Sequence, residues 1–577
     1  MAEQEGAADP AVRLRVAGWL RTLSPLHVGG AGQDPNAPLA VAVDGRERLH
    51  VPGSSLAGAL RSLMHADPAA GDGPRDEAAN RWWGWAQAKG PGGTVSRVVV
   101  RDAPVATGPD LDRDGLPAAP LDAARLEMRT SVGIDRRHGT AAQGFLFTRS
   151  VIPQGAWMRL ELDVHTGARS AAQARAYLSR LLTLLADGRL RLGGAVTRGL
   201  GRTRLAVEDT HVREEHLDSP QGLFTVLRGD GARRPVEEWW RAYAPAATSP
   251  RRQVDVQVRW RQTAPVVVRS GTDGLTVDSL PLATAVRDDA VTLVLPGTAL
   301  KGVLRSRAEH IERTARGLDA PGAPDPGNPG VSGTGDDVDR SATFRAQLDQ
   351  LPAVRALFGS APRRRGDAGR GRGALIVDDC HAEVTIPADL WDRAHGPDAD
   401  RRPPPAPGIA PPAGEGASVL ERLRAHGLER ADHVAIDRWT GGAAEGLLYS
   451  VLEPHGLSWQ PITLTVDLHR LTTAPVADTA GAAIAGTATA GTDTAGTDAA
   501  LALLLLVLRD LKAGRLPLGG ATNRGMGDVV VEQILLTFPE DEPGHGGEPV
   551  ELDALLRGER AQHLTRAWCA YLDGTAV

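Results

Sequence analysis

Two stretches of this chain are written in nearly the same way: "LRLGGAVTRGLGRTRLAV" at 190–207 and "LPLGGATNRGMGDVVVE" at 516–532. Glycine serves where a backbone takes positive φ or approaches another group closely. A single loop of this kind reads most simply as a tight turn closing a sheet. Two copies raise the question of whether their surroundings repeat as well, and they do. "VRLRVAGWLRTLSPLHVGG" from Val12 and "VDVQVRWRQTAPVVVRSG" from Val254 both alternate as strands and end at glycine. "LHVPGSSLAGALRSLM" matches "LVLPGTALKGVLRSRAEHI", each reading as strand, Pro-Gly turn, small hydroxyl residue and helix. "SRVVVRDAP" parallels "ALIVDDCHA", and "VGIDRRHGTAAQGFLFTRSVIPQGAW" parallels "VAIDRWTGGAAEGLLYSVLEPHGLSW". The alternating "MRLELDVH" and "ITLTVDLH" follow, and a helix precedes each glycine loop. Ser170 with Gln173 reads as a capping box for the first of these helices, and Asp498 as the N-cap of the second. The chain reads as a tandem duplication.

The spacing between matched residues grows from Pro52/Pro296 to Asp135/Asp437 to Leu190/Leu516, so the second copy holds insertions. Pro/Gly/Ala/Thr tracts near 317–337, 396–416 and 479–498 supply them, and they have little to bury. The expected organisation is a disordered terminus at 1–11, a first domain at 12–207, a linker at 208–252 with a short helix in "VEEWWRAYA", a second domain at 253–540 and a helical tail at 541–577. Few strands with helices between them predict an α+β class built from two ferredoxin-like (RRM-like) domains.

A chain of 577 residues suits about two to four domains. A net charge of −6 sets up no global basic field. Two cysteines, Cys380 and Cys569, exclude a disulfide framework and a cysteine-rich zinc site. The apolar run at 500–508 is far shorter than the ~20 residues a membrane span needs. With an acidic, polar start, "MAEQEGAADP", these features lead to the expectation of a cytoplasmic protein.

Chemically, the Pro-Gly turns place helix N-termini at strand ends. Free amides there, with Ser54 and Ser55 or Thr298, could hold a phosphate, and Arg61, Lys301 and Arg305 would add charge; the plain alternative is an ordinary N-cap. The glycine loops, carrying Arg198, Arg202 and Arg524, invite the same two readings.

The set "LHVGG", "VPGSSLAGALRS", "GIDRRHGTAAQGFLF" and "LGGAVTRGLGR" resembles the RAMP superfamily of CRISPR systems. The likeness is nearest to the Cas-seven-type backbone subunits of type III effector complexes. It covers nearly the whole chain twice, as a fused tandem of the type III-D-like kind. The resemblance implies a subunit that lies along a guide (CRISPR) RNA, with projecting thumbs that interrupt the guide–target duplex. It implies partners as well: a large polymerase-like subunit, small subunits and further backbone subunits, with no membrane. It also implies an antiviral endoribonuclease that cuts single-stranded target RNA with loop aspartates and a divalent metal, Mg2+ or Mn2+.

Carried onto this chain, the catalytic and metal-holding residues are Asp34 in "DPNAPL" and Asp278 in "VDSLPL". The spacing slips in the first, where Asn36 stands nearer the expected place and Asp34 also suits an Asp-Pro turn; Asp273 is the rival of Asp278. The RNA-binding set is His27, Ser54, Ser55, Arg61, Arg136, Arg198, Gly199, Arg202, Thr298, Lys301, Arg305, Arg438, Asn523, Arg524 and Gly525. Asp135 and Asp437 read as salt-bridged residues at the thumb bases. Two other readings stand beside target cleavage: a structural subunit that binds guide RNA without cutting, and a guide-processing RNase using His27. The second copy has valine at the His27 position, which argues against the latter.

Overall fold

A computed structural model describes residues 11–30, 37–65, 75–87, 92–136, 140–243, 252–271, 274, 276–287, 289–319, 348, 350–360, 371–395, 415–473, 494–540 and 547–573. The fold mixes helices with several antiparallel sheets. Two compact units emerge. The first comprises Met1–Arg129, Thr148–Val196 and Leu200–Arg251; the second comprises Thr130–Phe147, Thr197–Gly199 and Arg252–Val577.

In the first unit the central strand is Val12–Thr22, whose alternate residues Val12, Leu14 and Val16 are buried. It pairs antiparallel with Trp157–Thr166 on one side and Thr203–His216 on the other. The helices Gly53–His65 and Ala171–Ala186 bury leucines at three- and four-residue spacing, the period of one helical face. Ser170 builds no capping box here. A short 3-10 turn leaves it at φ −99°, ψ 5° instead of the extended geometry of an N-cap, and its hydroxyl bonds Thr166 Oγ1 at 2.8 Å.

Within 208–252, expected as a linker with a short helix, the described residues 208–243 carry folded elements of this unit. The strand Thr203–His216 runs on, and after the helix Pro220–Arg228 a second helix, Val236–Tyr243, buries Val236 and Trp239 completely. The apolar face of "VEEWWRAY" finds a core to cover, and that is what turns a connection into structure.

The second unit is organised around Gln253–Gln262, flanked by Ile462–Asp467 and Val529–Thr537. Both central strands shift register against the later partner, at Ala17/Trp19 and at Arg259/Trp260. The helix Gly297–Arg316 ends on Gly317, whose φ of 65° lets its amide return to Arg313 O and Thr314 O.

The helix Thr494–Lys512 buries the apolar run that contains Leu503, Leu504, Val507 and Leu508. It begins four residues before Asp498, so Asp498 is no N-cap; its Oδ2 lies 2.7 Å from His563 Nε2 on the helix Glu559–Leu572. That tail helix also brings the Tyr571 hydroxyl to donate to the buried Glu312. Burial pushes the Glu312 carboxyl up, against the pull of Tyr571 and the Val354 amide. Most of the three insertions (320–337, 396–414 and 479–493) lies outside the described residues.

Two hairpins complete the fold: Glu127–Ile134 with Ala141–Val151, and Leu428–Ile436 with Ala443–Pro454. Among the described residues no helix is long and apolar enough to cross a membrane.

Candidate functional site

The two glycine loops share one backbone path. Positive φ recurs at Gly193 and Gly519 (81° and 90°), Ala195 and Ala521 (56° and 54°), Gly199 and Gly525 (93° and 82°), and Gly201 and Gly527 (83° and 85°). Gly194 N donates to His27 O at 2.7 Å, as Gly520 N does to Val267 O at 2.7 Å. A Cβ at Gly193 would lie 2.1 Å from His27 O, so the close approach that this glycine serves is to the protein's own strand end.

The helix entries repeat as closely. Gly53 N donates to Asp102 Oδ1 at 2.7 Å, and Gly297 N to Asp379 Oδ1 at 2.7 Å. A carboxylate therefore sits at each helix N-terminus, where the unpaired amides and the dipole favour negative charge. That is the place where the sequence alone suggests a phosphate. The signal for the aspartates was present in the parallel "SRVVVRDAP" and "ALIVDDCHA", where Asp102 and Asp379 correspond. Ser54 and Ser55 are exposed on the first turn, and Thr298 is half-buried on the second.

Several of the expected RNA contacts are engaged within the protein. Arg61 Nη2 donates to Asn80 Oδ1 at 2.9 Å. Arg136 Nε and Arg305 Nε both donate to Glu309, which is fully buried, at 2.7 and 2.9 Å. Lys301 is 5% exposed and donates to Leu375 O at 2.6 Å. Burial, and then the neighbouring Arg305, Arg198 and Arg372, push its pKa down to about 7.

Arg198 is half-buried, and burial lowers the pKa of its guanidinium. Arg202 ties its backbone amide to Ser24 Oγ at 3.0 Å. His27 is buried with Nδ1 2.8 Å from Ser150 O; burial is the main cause that lowers its pKa. His27 thus packs, and no neighbouring geometry recommends it as a general base. Asp437 makes no ion pair among the described residues: it closes the hairpin end by accepting from Trp439 N at 2.8 Å, and that bond holds its carboxyl low. Asp135 occupies the same place in the other hairpin, its amide donating to Thr140 O at 2.8 Å. Arg438, Asn523, Arg524 and Gly525 are exposed.

In the second unit three segments meet at the hairpin strand Ala443–Pro454. Arg524 Nη1, from the glycine loop, donates to Tyr449 Oη at 2.8 Å. Arg269 lies over the same ring at 5.4 Å from its centroid, and His433 stacks on it at 5.4 Å. These residues line a small cavity of about 60 Å3 with Gly520 and Ala521. One residue further on, Ser450 N and Ser450 Oγ donate to Asp278 Oδ2 at 2.6 and 2.8 Å, while Asp278 N returns a bond to Ser450 Oγ at 3.0 Å. Asp278 is exposed. Successive residues of a strand face opposite sides, so the cation–aromatic group and the carboxylate belong to two faces of one strand.

Tyr449, Ser450, Arg269 and His433 went unnoticed in the sequence. A hydroxyl recurs at the matched positions Thr148 and Ser450, and it could have marked the spot. Asp34 and Asp273 lie outside the described residues. Among the described residues no three His, Cys, Asp or Glu side chains converge to hold a metal. Asp278 therefore belongs to no such cluster among the described residues.

A family model described as the RAMP superfamily matches residues 19–204 and 263–530. No curated protein matches the chain.

Proposed function

The chain belongs to the RAMP superfamily, whose membership points to RNA binding in CRISPR systems, and on that premise we propose that it is a backbone subunit of a type III effector complex. In this reading it is a fused tandem of two ferredoxin-like RAMP domains that hold guide RNA and pair it with a single-stranded target. Its partners are the guide RNA and further effector subunits.

The observation that carries the RNA reading is the exposed Arg524 beside Tyr449, Arg269 and His433. Guanidinium groups take phosphates, and an aromatic face takes an unstacked base. Both chemistries therefore meet at the tip of the second glycine loop.

Asp278 is the proposed carboxylate for cutting the target. The 2′-hydroxyl of a splayed nucleotide attacks its own phosphorus, the bond to the 5′-oxygen breaks, and the products are a 2′,3′-cyclic phosphate and a 5′-hydroxyl. An exposed carboxylate held by Ser450 can take the 2′-hydroxyl proton. A divalent ion would have to find its remaining ligands on the RNA phosphate and water.

A second reading, a guide-binding subunit that does not cut, draws on the same geometry, because a carboxylate bonded to its neighbour's amide and hydroxyl is also what locks a loop. The test is a single-turnover assay of the assembled complex on labelled target RNA. Asp278→Asn keeps an acceptor for Ser450 and removes the charge. Loss of one product by about a hundredfold or more, with target binding kept, is expected for an acid–base group; an unaltered product pattern makes Asp278 structural.

A further inference from the structure

Between the two family-matched ranges, 19–204 and 263–530, the first unit carries a helix that buries its small side and exposes its large one. The helix Pro220–Arg228 is closed at both ends. The Ser219 hydroxyl accepts from Gly222 N at 3.1 Å, and Gly229, at φ 73°, returns its amide to Thr225 O and Val226 O. Gly222 is pressed to the end of the strand Thr203–His216, where a Cβ would fall 2.1 Å from His216 O. That close approach leaves Leu223, Phe224 and Leu227 turned outward, 46%, 59% and 80% exposed.

Leu223 and Leu227 are one helical turn apart with Phe224 beside them, so the three make one apolar patch. Large apolar side chains left together on a capped helix mark an interaction surface. We propose that this face docks an acidic amphipathic segment of a partner protein. The inference does not depend on the guide-RNA reading.

Charge identifies the occupant. The stretch 228–234 holds Arg228, Arg233 and Arg234 against one carboxylate, Asp230. Arg228 lies over the Phe224 ring, 5.9 Å from its centroid, and Arg233 and Arg234 are exposed on the edge strand Arg233–Pro235. No carboxylate of a described residue forms an ion pair with any of the three. A segment whose apolar residues cover Leu223, Phe224 and Leu227 brings its flanking carboxylates to these guanidinium groups. A nucleic acid would satisfy the arginines and leave the patch wet. A second copy of this chain would bring the same arginine-rich rim to the contact.

The surface is particular to the first copy. "RPVE" at 234–237 recurs as "EPVE" at 548–551. Each enters a strand–helix pair: Arg233–Pro235 with Val236–Tyr243, and Pro549–Glu551 with Leu552–Arg557. Among the described residues no helix stands between Val529–Thr537 and Pro549–Glu551 to match Pro220–Arg228. Glu548 also stands where the first copy has Arg234. The duplicated framework therefore accounts for neither the helix nor the charge beside it.

The test uses the full-length chain and two synthetic helical peptides with one leucine stripe, flanked by glutamates in the first and by lysines in the second. Fluorescence anisotropy reads binding, thermal melts verify that each variant folds, and sedimentation gives the oligomeric state. Leu227 is mostly exposed, so Leu227→Asp disturbs no core. Saturable binding of the glutamate peptide is expected, weakened about tenfold or more by Leu227→Asp and by Arg233→Glu combined with Arg234→Glu. The proposal is overturned if the glutamate peptide does not bind, if the lysine peptide binds as well, or if the folded variants bind like the parent. Self-association of the parent that Leu227→Asp abolishes also overturns it, by giving the face to a second copy. So does peptide binding seen only after residues 2–10 are removed, which gives the face to the chain's own acidic "AEQEGAADP".

Discussion

The tips of the two glycine loops follow one backbone path and meet opposite surroundings. At 197–199 the tip is packed inside the second unit. Val377 N donates to Thr197 O at 3.2 Å, and a Cβ on Gly199 would fall 1.9 Å from Asp379 Oδ1. The facing glycine is equally tight, because a Cβ on Gly297 would lie 2.8 Å from Arg198 C and 2.9 Å from Gly199 N. At 523–525 the tip is open: a Cβ on Gly525 would meet nothing within 4 Å, and Arg524 is exposed on Tyr449. A loop conformation written by local residues has thus been turned to two ends, internal docking at one tip and an available cation–aromatic surface at the other.

The largest effect that separates the tips is steric. Gly199→Ala should cost about 3 kcal/mol or more, because strain at positive φ adds to overlap with the Asp379 carboxylate that caps Gly297. Gly525→Ala meets only the backbone strain and should cost about 1 kcal/mol. Urea unfolding of both variants decides the matter, and equal losses would show that the packing at 197–199 contributes nothing.

Next in size is a difference between the helices that start at the two Pro-Gly turns. Ala57 occupies the step at which the second helix carries the buried Lys301. With a folded pKa of about 7 against an ordinary 10.5, Lys301 binds fewer protons in the native chain than in the unfolded one between those pH values. Stability should therefore rise with pH through that window, and the penalty should be fully present below pH 7. Lys301→Met should flatten that rise. An unchanged pH profile in the variant would mean that the ammonium is not strained by its burial.

The smallest free-energy effect concerns RNA. Arg524→Ala should reduce retained RNA several-fold, about 1 kcal/mol, and lower the salt slope by about one unit, while stability moves by less than about 0.5 kcal/mol. Arg198→Ala should leave RNA retention as it was, since its guanidinium is half-buried within the docked tip. Equal RNA loss in both variants would erase the functional distinction between the loops.

Much of this was legible in the chain. Alternation marked the central strands Val12–Thr22 and Gln253–Gln262, and the Pro-Gly dipeptides marked the starts of both entry helices. The site was legible only in part. Asp278 and Arg524 were singled out, but the strand residues that receive them, Ser450 and Tyr449, lie far along the chain and carry no motif of their own. The capping residues failed for a related reason. Ser170 and Asp498 have the right identity for N-caps, but a 3-10 turn displaces the first and an earlier helix start swallows the second.

What the amino-acid order determined by itself is local: the positive-φ pattern of both glycine loops, the turns that launch the helices, and the alternating strands. Each depends on a few neighbouring residues and their steric limits. Tertiary structure decided which loop tip is covered, which carboxylate occupies each helix N-terminus, and which arginines share Glu309. Those outcomes rest on groups distant in sequence that are brought within hydrogen-bond range, and a buried charge accepts only the partner that packing delivers to it.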